Sequence, residues 1–469
     1  MGSRRRRLVA VAAISTLIFL IFITSPISIT GNLIDVPEQP LTVKQVSVYP
    51  ENKALGRKSD DYQILTSIRE PMGFYNAFNV EKTGLKIINP TLLDLPRGGR
   101  HDFLVIARMP PISKEIDGIK YEVSHQVAMF ANLTYDEAQR PVLAAGKWFR
   151  LLVEDYAGPE HDCKHQPDVN KYIGPEDMKL FWTRQGAPLL IFTMQVNDKN
   201  LCQGIFLVDA RAIVPELATA IGDHAWQMPP IQFKQPTGLR RQASAEREKN
   251  WAPFQSPFSK DNDEPFLMVE PGRAFRWITT SEPVEHIIVE SEPAVEAPYT
   301  PWHNTEKTCV QEIMMTNNVH QSTPILALTL CDRGKCEPHY NNTVLIGMVH
   351  RRHDIPIYPF TRYERRTVVY AATPPYKMLS VSKKLIYHGE MNGGFIWTGS
   401  MVYVLNSTGV LHDRSHGFLD DEIWLSFGVD DSTSGWLDIE ARDLVRGHYL
   451  CQAESDEYKK SKEESSIGF

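Results

Sequence analysis

The stretch "YIGPEDMKLFWTRQGAPLLIFT", residues 172–193, sets the fold class. A Gly174-Pro175 turn leads two adjacent carboxylates, Glu176 and Asp177, into the apolar run Leu180 to Trp182. A second turn, Gly186 to Pro188, returns the chain through Leu189 to Thr193. Short apolar runs bounded by Gly and Pro predict an antiparallel β-hairpin. The acidic pair at its mouth has two readings. One is a solvated turn, where acidic residues are common. The other is a catalytic carboxylate at the rim of a sheet, since loops on a rigid scaffold carry chemistry.

The same pattern recurs outward from this hairpin. "HDFLVIARM" (101–109), "QGIFLVDA" (203–210), "EPFLMVE" (264–270), "TVLIGMVHRR" (343–352), "RRTVVYAAT" (365–373), "FIWTGSMVYVL" (395–405) and "DEIWLSFGVD" (421–430) are all strand-like. Only "VDARAIVPELATAIGD" (208–223) offers a helical stretch, and 236–262 reads as a long polar loop over one face. "FLMVEPGRAFRWITTSEP" and "VVYAATPPYKMLSVSKKL" share a strand, a Pro-containing turn and a second strand, which suggests a repeated hairpin unit. So many short antiparallel strands exceed a simple sandwich. They predict an all-β ectodomain built as a five-bladed β-propeller with about 70 residues per blade, because radial repetition protects sheet edges. Two separate β domains are the structural alternative.

The N-terminus addresses the compartment. Arg4 to Arg7 precede an uncharged run, 8–29. About 20 apolar residues span a bilayer core as a helix, and the arginines keep the tail cytosolic. The expected organisation is a cytosolic tail (1–7), a transmembrane signal anchor (8–29), a stem (30–85), the propeller (86–450) and a disordered tail (451–469). This makes a single-pass type II protein of the Golgi membrane, with a cleaved signal peptide as the rival reading. Six cysteines suit an oxidising lumen; Cys331 with Cys336 would close a small loop, and Cys163 with Cys202 would brace the opening hairpin. Asn132, Asn341 and Asn406 begin glycosylation sequons. A net charge of −7 gives no reason to expect a nucleic-acid partner.

Four stretches set ionisable residues at strand ends: "GPEDMKLF" (174–181), "EKNWAPF" (248–254), "VHRR" (349–352) with "YHGE" (387–390), and "SFGVDDSTSGW" (426–436). With "NPTLLDLP…HDFLVIARM", this set resembles the β-mannoside phosphorylases, which are five-bladed propellers. It is still more similar to the related membrane-anchored mannosyltransferases, including fungal β-1,2-mannosyltransferases. The resemblance spans 86 to 440. It implies transfer of a sugar, expected to be β-linked mannose, from a nucleotide sugar such as GDP-mannose to a glycan acceptor. A phosphorylase or hydrolase on the same pocket, or a lectin-like propeller without turnover, are the alternatives.

The phosphorylases carry Glu-Asp-Pro-Arg, the Asp being acid/base and the Arg lying near phosphate; here the run is Glu176-Asp177-Met178-Lys179. Loss of the arginine argues against phosphorolysis, since Lys binds phosphate only as a point charge. Asp177 is the expected base and Glu176 its helper. Strand alternation allows only one of the two to face the site. Lys179, Lys249, Arg351 and Arg352 are candidates for stabilising the leaving diphosphate. Trp251 is a sugar-stacking candidate, and Asn250, His350, His388 and Asp430 complete the expected substrate-binding set. Each has a bland reading as core, turn or solvated strand end. No divalent metal is expected, "DNDE" (261–264) being a D-x-D match in a polar loop.

Overall fold

The structure is a computed structural model that describes residues 62–451, apart from 72–75, 81–84, 152, 154–161, 199–200, 242–245, 260–265, 271–272, 279–285, 291–318, 354–361, 375, 391–394 and 406–410. The expected anchor, the stem before Tyr62, the Asn406 sequon, the 261–264 match and the tail after Cys451 lie outside the described residues. Among the described residues no helix is long and apolar enough to cross a membrane. All of them belong to the second of two compact units, Val36–Phe469.

The fold is all-β. Among the described residues it contains five antiparallel meanders of four strands each. The first runs Ile88–Asp94, Phe103–Arg108, Gln126–Tyr135, Pro141–Arg150. The second runs Glu176–Trp182, Pro188–Asp198, Leu201–Asp209, Thr237–Arg241. The third runs Ala252–Phe254, Phe266–Glu270, Arg273–Ile278, His286–Glu290. The fourth runs Leu326–Thr329, Thr343–His353, Arg362–Ala371, Met378–Val381, with Val319–Gln321 also paired to its second strand. Ile396–Tyr403, Glu422–Val429 and Thr433–Glu440 form the fifth, completed by Asn76–Asn79 from the other end of the chain.

Side-chain alternation explains why these strands read as continuous apolar runs: both faces are buried. In Thr343–His353, Val344, Ile346 and Met348 enter one core while Leu345 and Val349 enter another. Leu93 and Leu92 divide in the same way, as do Leu180 and Phe181. The cores join neighbours in turn. Leu104 of the first meander packs with Leu190 of the second, and Ile191 of the second with Leu267 of the third. Met268 of the third meets Val368 of the fourth, Ile346 of the fourth meets Leu425 of the fifth, and Trp424 of the fifth returns to Phe103 of the first. The ring is closed.

Three expectations need correction. The sheets begin by Tyr62, not at 86: Tyr62–Leu65 pairs in parallel with Lys384–Tyr387, and Asn76–Asn79 closes the fifth meander. "NAFN" has little strand preference of its own, so its two partners, Pro141–Arg150 and Thr433–Glu440 from the far end of the chain, impose the conformation. The 236–262 loop contains the last strand of the second meander and the first of the third. The two look-alike hairpins are not equivalent repeats, because one supplies strands two and three of its meander and the other strands three and four. The weak helical stretch does form, as Ala210–Ile213 and Leu217–Ile221, capped by Asp209 at the first N-terminus and separated by Pro215. Cys163–Cys202 and Cys331–Cys336 are both formed, and Cys451 is also disulfide-bonded.

Candidate active site

Antiparallel order puts the start of each first strand and the end of each second strand at the same end of every meander. That end gathers Asn89, Glu176, Asp177, Lys249, Asn250, His320 and Trp397 from first-strand starts, with Arg108, Arg352 and Asp431 from second-strand ends. Asn89, Asp177, Asn250, Asp430 and Asp431 all have positive φ, between 45° and 60°. Asn and Asp tolerate this region better than other side chains, and strain of this kind clusters at functional sites.

Asp177 shows what the strain achieves. A bulge interrupts the register between Glu176 and Lys179. With Asp177 in the left-handed region, both carboxylates reach one cation: Lys249 Nζ lies 3.3 Å from Glu176 Oε2 and 3.3 Å from Asp177 Oδ2. The expectation that only one of the pair could face the site is therefore overturned by the bulge. The segment before them is clamped. Gly174 N–H donates to Gln195 Oε1 (2.9 Å), Gln195 Nε2 to Tyr172 O (2.7 Å) and Gln126 Nε2 to Pro175 O (2.7 Å). Gly174 has φ +102°, and a Cβ there would lie 2.2 Å from Ser124 O. Gly174→Ala should cost about 1–3 kcal/mol in a urea titration; an unchanged midpoint would show that the clamp yields freely.

Burial opposes the charge on Asp177, but Lys249, Lys179 and Arg108 outweigh it and hold the carboxyl below its ordinary value. Lys179 is buried, which pushes its ammonium down to about 8 despite Asp177. Burial lowers Lys249 too, yet Asp177 and Glu176 raise it on balance. His320 falls to about 4, through burial and then Lys249. Asp431, whose side chain is half exposed, is paired with Arg108 at 2.8 Å. Tyr363 is raised chiefly by burial and feels Arg352, Asp177, Lys249 and Asp431. Around the acidic pair, then, cations from four meanders outnumber carboxylates, beside an aromatic wall. Tyr363 lies 5.0 Å from Phe395 and 5.2 Å from Trp397, and His350 lies 4.6 Å from Trp397. This arrangement suits a ligand with an anionic group and a neutral ring.

No protein-family model matches the chain, and no curated protein matches it. Among solved structures it is similar to a putative glycoside hydrolase from Parabacteroides distasonis, at 11% identity and a TM-score of 0.40, covering 77% of this chain and 88% of that one. It is similar also to a mannose phosphorylase from Leishmania mexicana, in complex with phosphate ion, at 12% identity and a TM-score of 0.36, covering 84% and 93%. An α-L-arabinofuranosidase from Podospora anserina shows 12% identity and a TM-score of 0.32, covering 79% and 96%.

The structure brings Glu176, Asp177, Lys179, Lys249, Asn250 and Arg352 together. The other expected residues fall elsewhere. Trp251 is 1% exposed in the core between the second and third meanders, its indole N–H donating to Glu248 at 3.2 Å, so it offers no stacking face. His350 is wholly buried behind Trp397 and Tyr363. Pleating turns Arg351 to the opposite face from Arg352, across from Glu364. His388 follows the strand that pairs with Tyr62–Leu65, its backbone N–H donating to Leu65. Asp430 is turned across to the neighbouring strand, accepting from Phe395 N–H at 2.7 Å; its neighbour Asp431 faces the site instead. Of the sequons, Asn341 is exposed, whereas Asn132 is half-buried and accepts from Asp102 N–H at 3.0 Å.

The sequence motifs do not single out Arg108, Arg247, His320 or Tyr363 as binding groups, whereas Asp431, weighed with Asp430 as a hydroxyl binder or turn cap, does face the cluster. Arg247 is lowered by burial and feels Glu176, Asp177 and Arg352. The available signal was positional: each sits at a strand boundary on the shared end of its meander. Among the described residues, no group of three or more His, Cys, Asp and Glu is placed to hold a metal ion.

Proposed function

We propose that the ring of meanders is a five-bladed propeller carrying a sugar-transferring active site at the end described above. The proposed reaction passes a sugar, best matched by β-linked mannose, from a nucleotide sugar such as GDP-mannose to a glycan acceptor. One observation carries the reading: Glu176 and Asp177 share Lys249 in a half-buried cluster with surplus positive charge. A carboxylate kept ionised can take the proton from an acceptor hydroxyl. Arg108, Lys179, Arg247 and Arg352 can stabilise charge developing on a phosphate leaving group. Tyr363 and Phe395, packed against the buried ring of Trp397, offer apolar surface to a sugar ring. The N-terminal run, the disulfides and the sequons support a secretory-pathway enzyme held in the Golgi membrane by residues 8–29.

A second reading gains from the structure. Loss of the motif arginine at position 179 argued against phosphorolysis, yet Arg108 and Arg247 bring guanidinium groups to the same cluster from other strands. Inorganic phosphate is therefore a competent co-substrate candidate. One panel separates the readings. The ectodomain is incubated with nucleotide sugars and mannoside acceptors, and separately with mannosides plus phosphate. An extended glycan supports transfer; mannose 1-phosphate supports the phosphorylase; free sugar supports a hydrolase. Glycan binding without any product would leave only a lectin.

A further inference from the structure

The Cys163–Cys202 bond lies outside the acidic cluster, but both halves of the cluster hang from it. On one side, Cys163 precedes the short 3-10 helix Pro167–Lys171, the clamped Tyr172–Pro175 and then Glu176. On the other, Cys202 N–H donates to Glu246 O at 2.8 Å, and Glu248 N–H donates to Gln203 O at 2.9 Å. Lys249 follows directly. Glu246 closes the loop between the two sides: its carboxylate accepts from the backbone N–H of Lys164 at 2.6 Å and of His165 at 3.0 Å. Its contact with the His165 ring, 2.9 Å, is on an 85% exposed side chain and adds little. Arg247 spans the same gap, donating to Gln203 Oε1 at 2.7 Å and to Gln166 Oε1.

We propose that Glu246 is a positioning residue which, with the Cys163–Cys202 bond, fixes the gap across which Glu176 and Asp177 hold Lys249. The segment delivering the carboxylates and the segment delivering the lysine come from different meanders. Neither Glu176 nor Asp177 is joined to Lys249 by a shared strand ladder. Glu246 ties them by accepting two backbone hydrogen bonds from the residues next to Cys163, while its own carbonyl is held by Cys202. The consequence for catalysis rests on the function proposed above; the consequence for Lys249 does not.

The test therefore reads the lysine itself. The ectodomain is pulsed with acetic anhydride and acetylation of each lysine is measured by mass spectrometry, with exposed Lys384 as internal reference. Glu246→Ala and the double variant Cys163→Ser/Cys202→Ser should raise acetylation of Lys249 by about tenfold, the change that one pKa unit makes in the free-amine fraction. Opening the other described disulfide, with Cys331→Ser/Cys336→Ser, should leave it unchanged. If the Cys163 variant does not fold, Glu246→Ala, a surface change, decides alone. An unchanged Lys249 rate in folded Glu246→Ala, or an equal rise in the Cys331 variant, would overturn the proposal. Should the sugar panel give no product, the labelling result still stands. Should it give one, Glu246→Ala should lower kcat and move the acid limb of the pH profile upward, a shift that mere loss of stability does not produce.

Discussion

Asp177→Asn is expected to lower turnover of the proposed sugar transfer by about 10²–10⁴-fold, the range spanned by general-base catalysis. Asn keeps the side-chain shape and tolerates the positive φ at this position, so the bulge survives. What it cannot do is accept a proton at neutral pH. Because Lys249, Lys179 and Arg108 hold Asp177 below its usual value against the effect of burial, the acid limb of the wild-type profile should lie below the ordinary carboxylate range. The sign of the accompanying stability term follows. A depressed carboxylate stabilises the fold above the unfolded value, and that contribution is lost as pH falls through the lower folded value. Glu176→Gln, which weakens only the shared hold on Lys249, should cost about tenfold to a hundredfold. Steady-state rates of the purified ectodomain with the best substrate of the panel give both figures. Near-full activity in Asp177→Asn with loss in Glu176→Gln would exchange the two roles. Full activity in both would reduce the acidic pair to a structural anchor for Lys249.

The all-β fold was legible because apolar runs of strand length alternate with Gly and Pro along the chain. The ring closure was not. It depends on Asn76–Asn79, four residues whose own preference for a strand is weak and whose partner is Thr433–Glu440. No local pattern encodes a pairing across such a separation. The same limit hid the first strand of the third meander: Ala252–Phe254 is three residues long and contains Pro253, which reads as loop.

The site was legible in part, for the same reason. Glu176 and Asp177 stand in a motif, so they were found. Arg108 and Tyr363 stand at the ends of ordinary strands, and only the ring brings them to one end. Trp251 and Asp430 show the opposite error. Each lies next to a site residue in sequence, but alternate side chains go to opposite faces and, at the turn, one of two aspartates is drawn across to the backbone N–H of Phe395 on the paired strand. In both cases the neighbour, Asn250 or Asp431, is the one that faces the cluster.

Lys179→Met is expected to stabilise the protein while removing activity. Lys179 is 2% exposed, and burial lowers it from 10.5 to about 8 even with Asp177 nearby. The folded state thus binds this proton less tightly than the unfolded state does. Below pH 8 the fold carries the full cost of a buried ammonium, about 3 kcal/mol at 1.36 kcal/mol per pKa unit. Between about 8 and 10.5 the unfolded chain holds the proton and the folded chain does not, so wild-type stability rises with pH across that window. Methionine has a similar length and no charge, so urea midpoints at pH 6.5 should favour the variant by about 3 kcal/mol, shrinking to under about 1 kcal/mol at pH 10. Turnover should meanwhile fall by about 10²–10³-fold, as when one preorganised donor to a developing anion is deleted. A buried cation that destabilises its own fold is held against a gradient, and a ligand with an anionic group beside Asp177 is what would offset it. An advantage for Met of equal size at both pH values would mean that packing, not the buried charge, explains the gain. A less stable variant at pH 6.5 would instead make Lys179 a net structural support of Asp177.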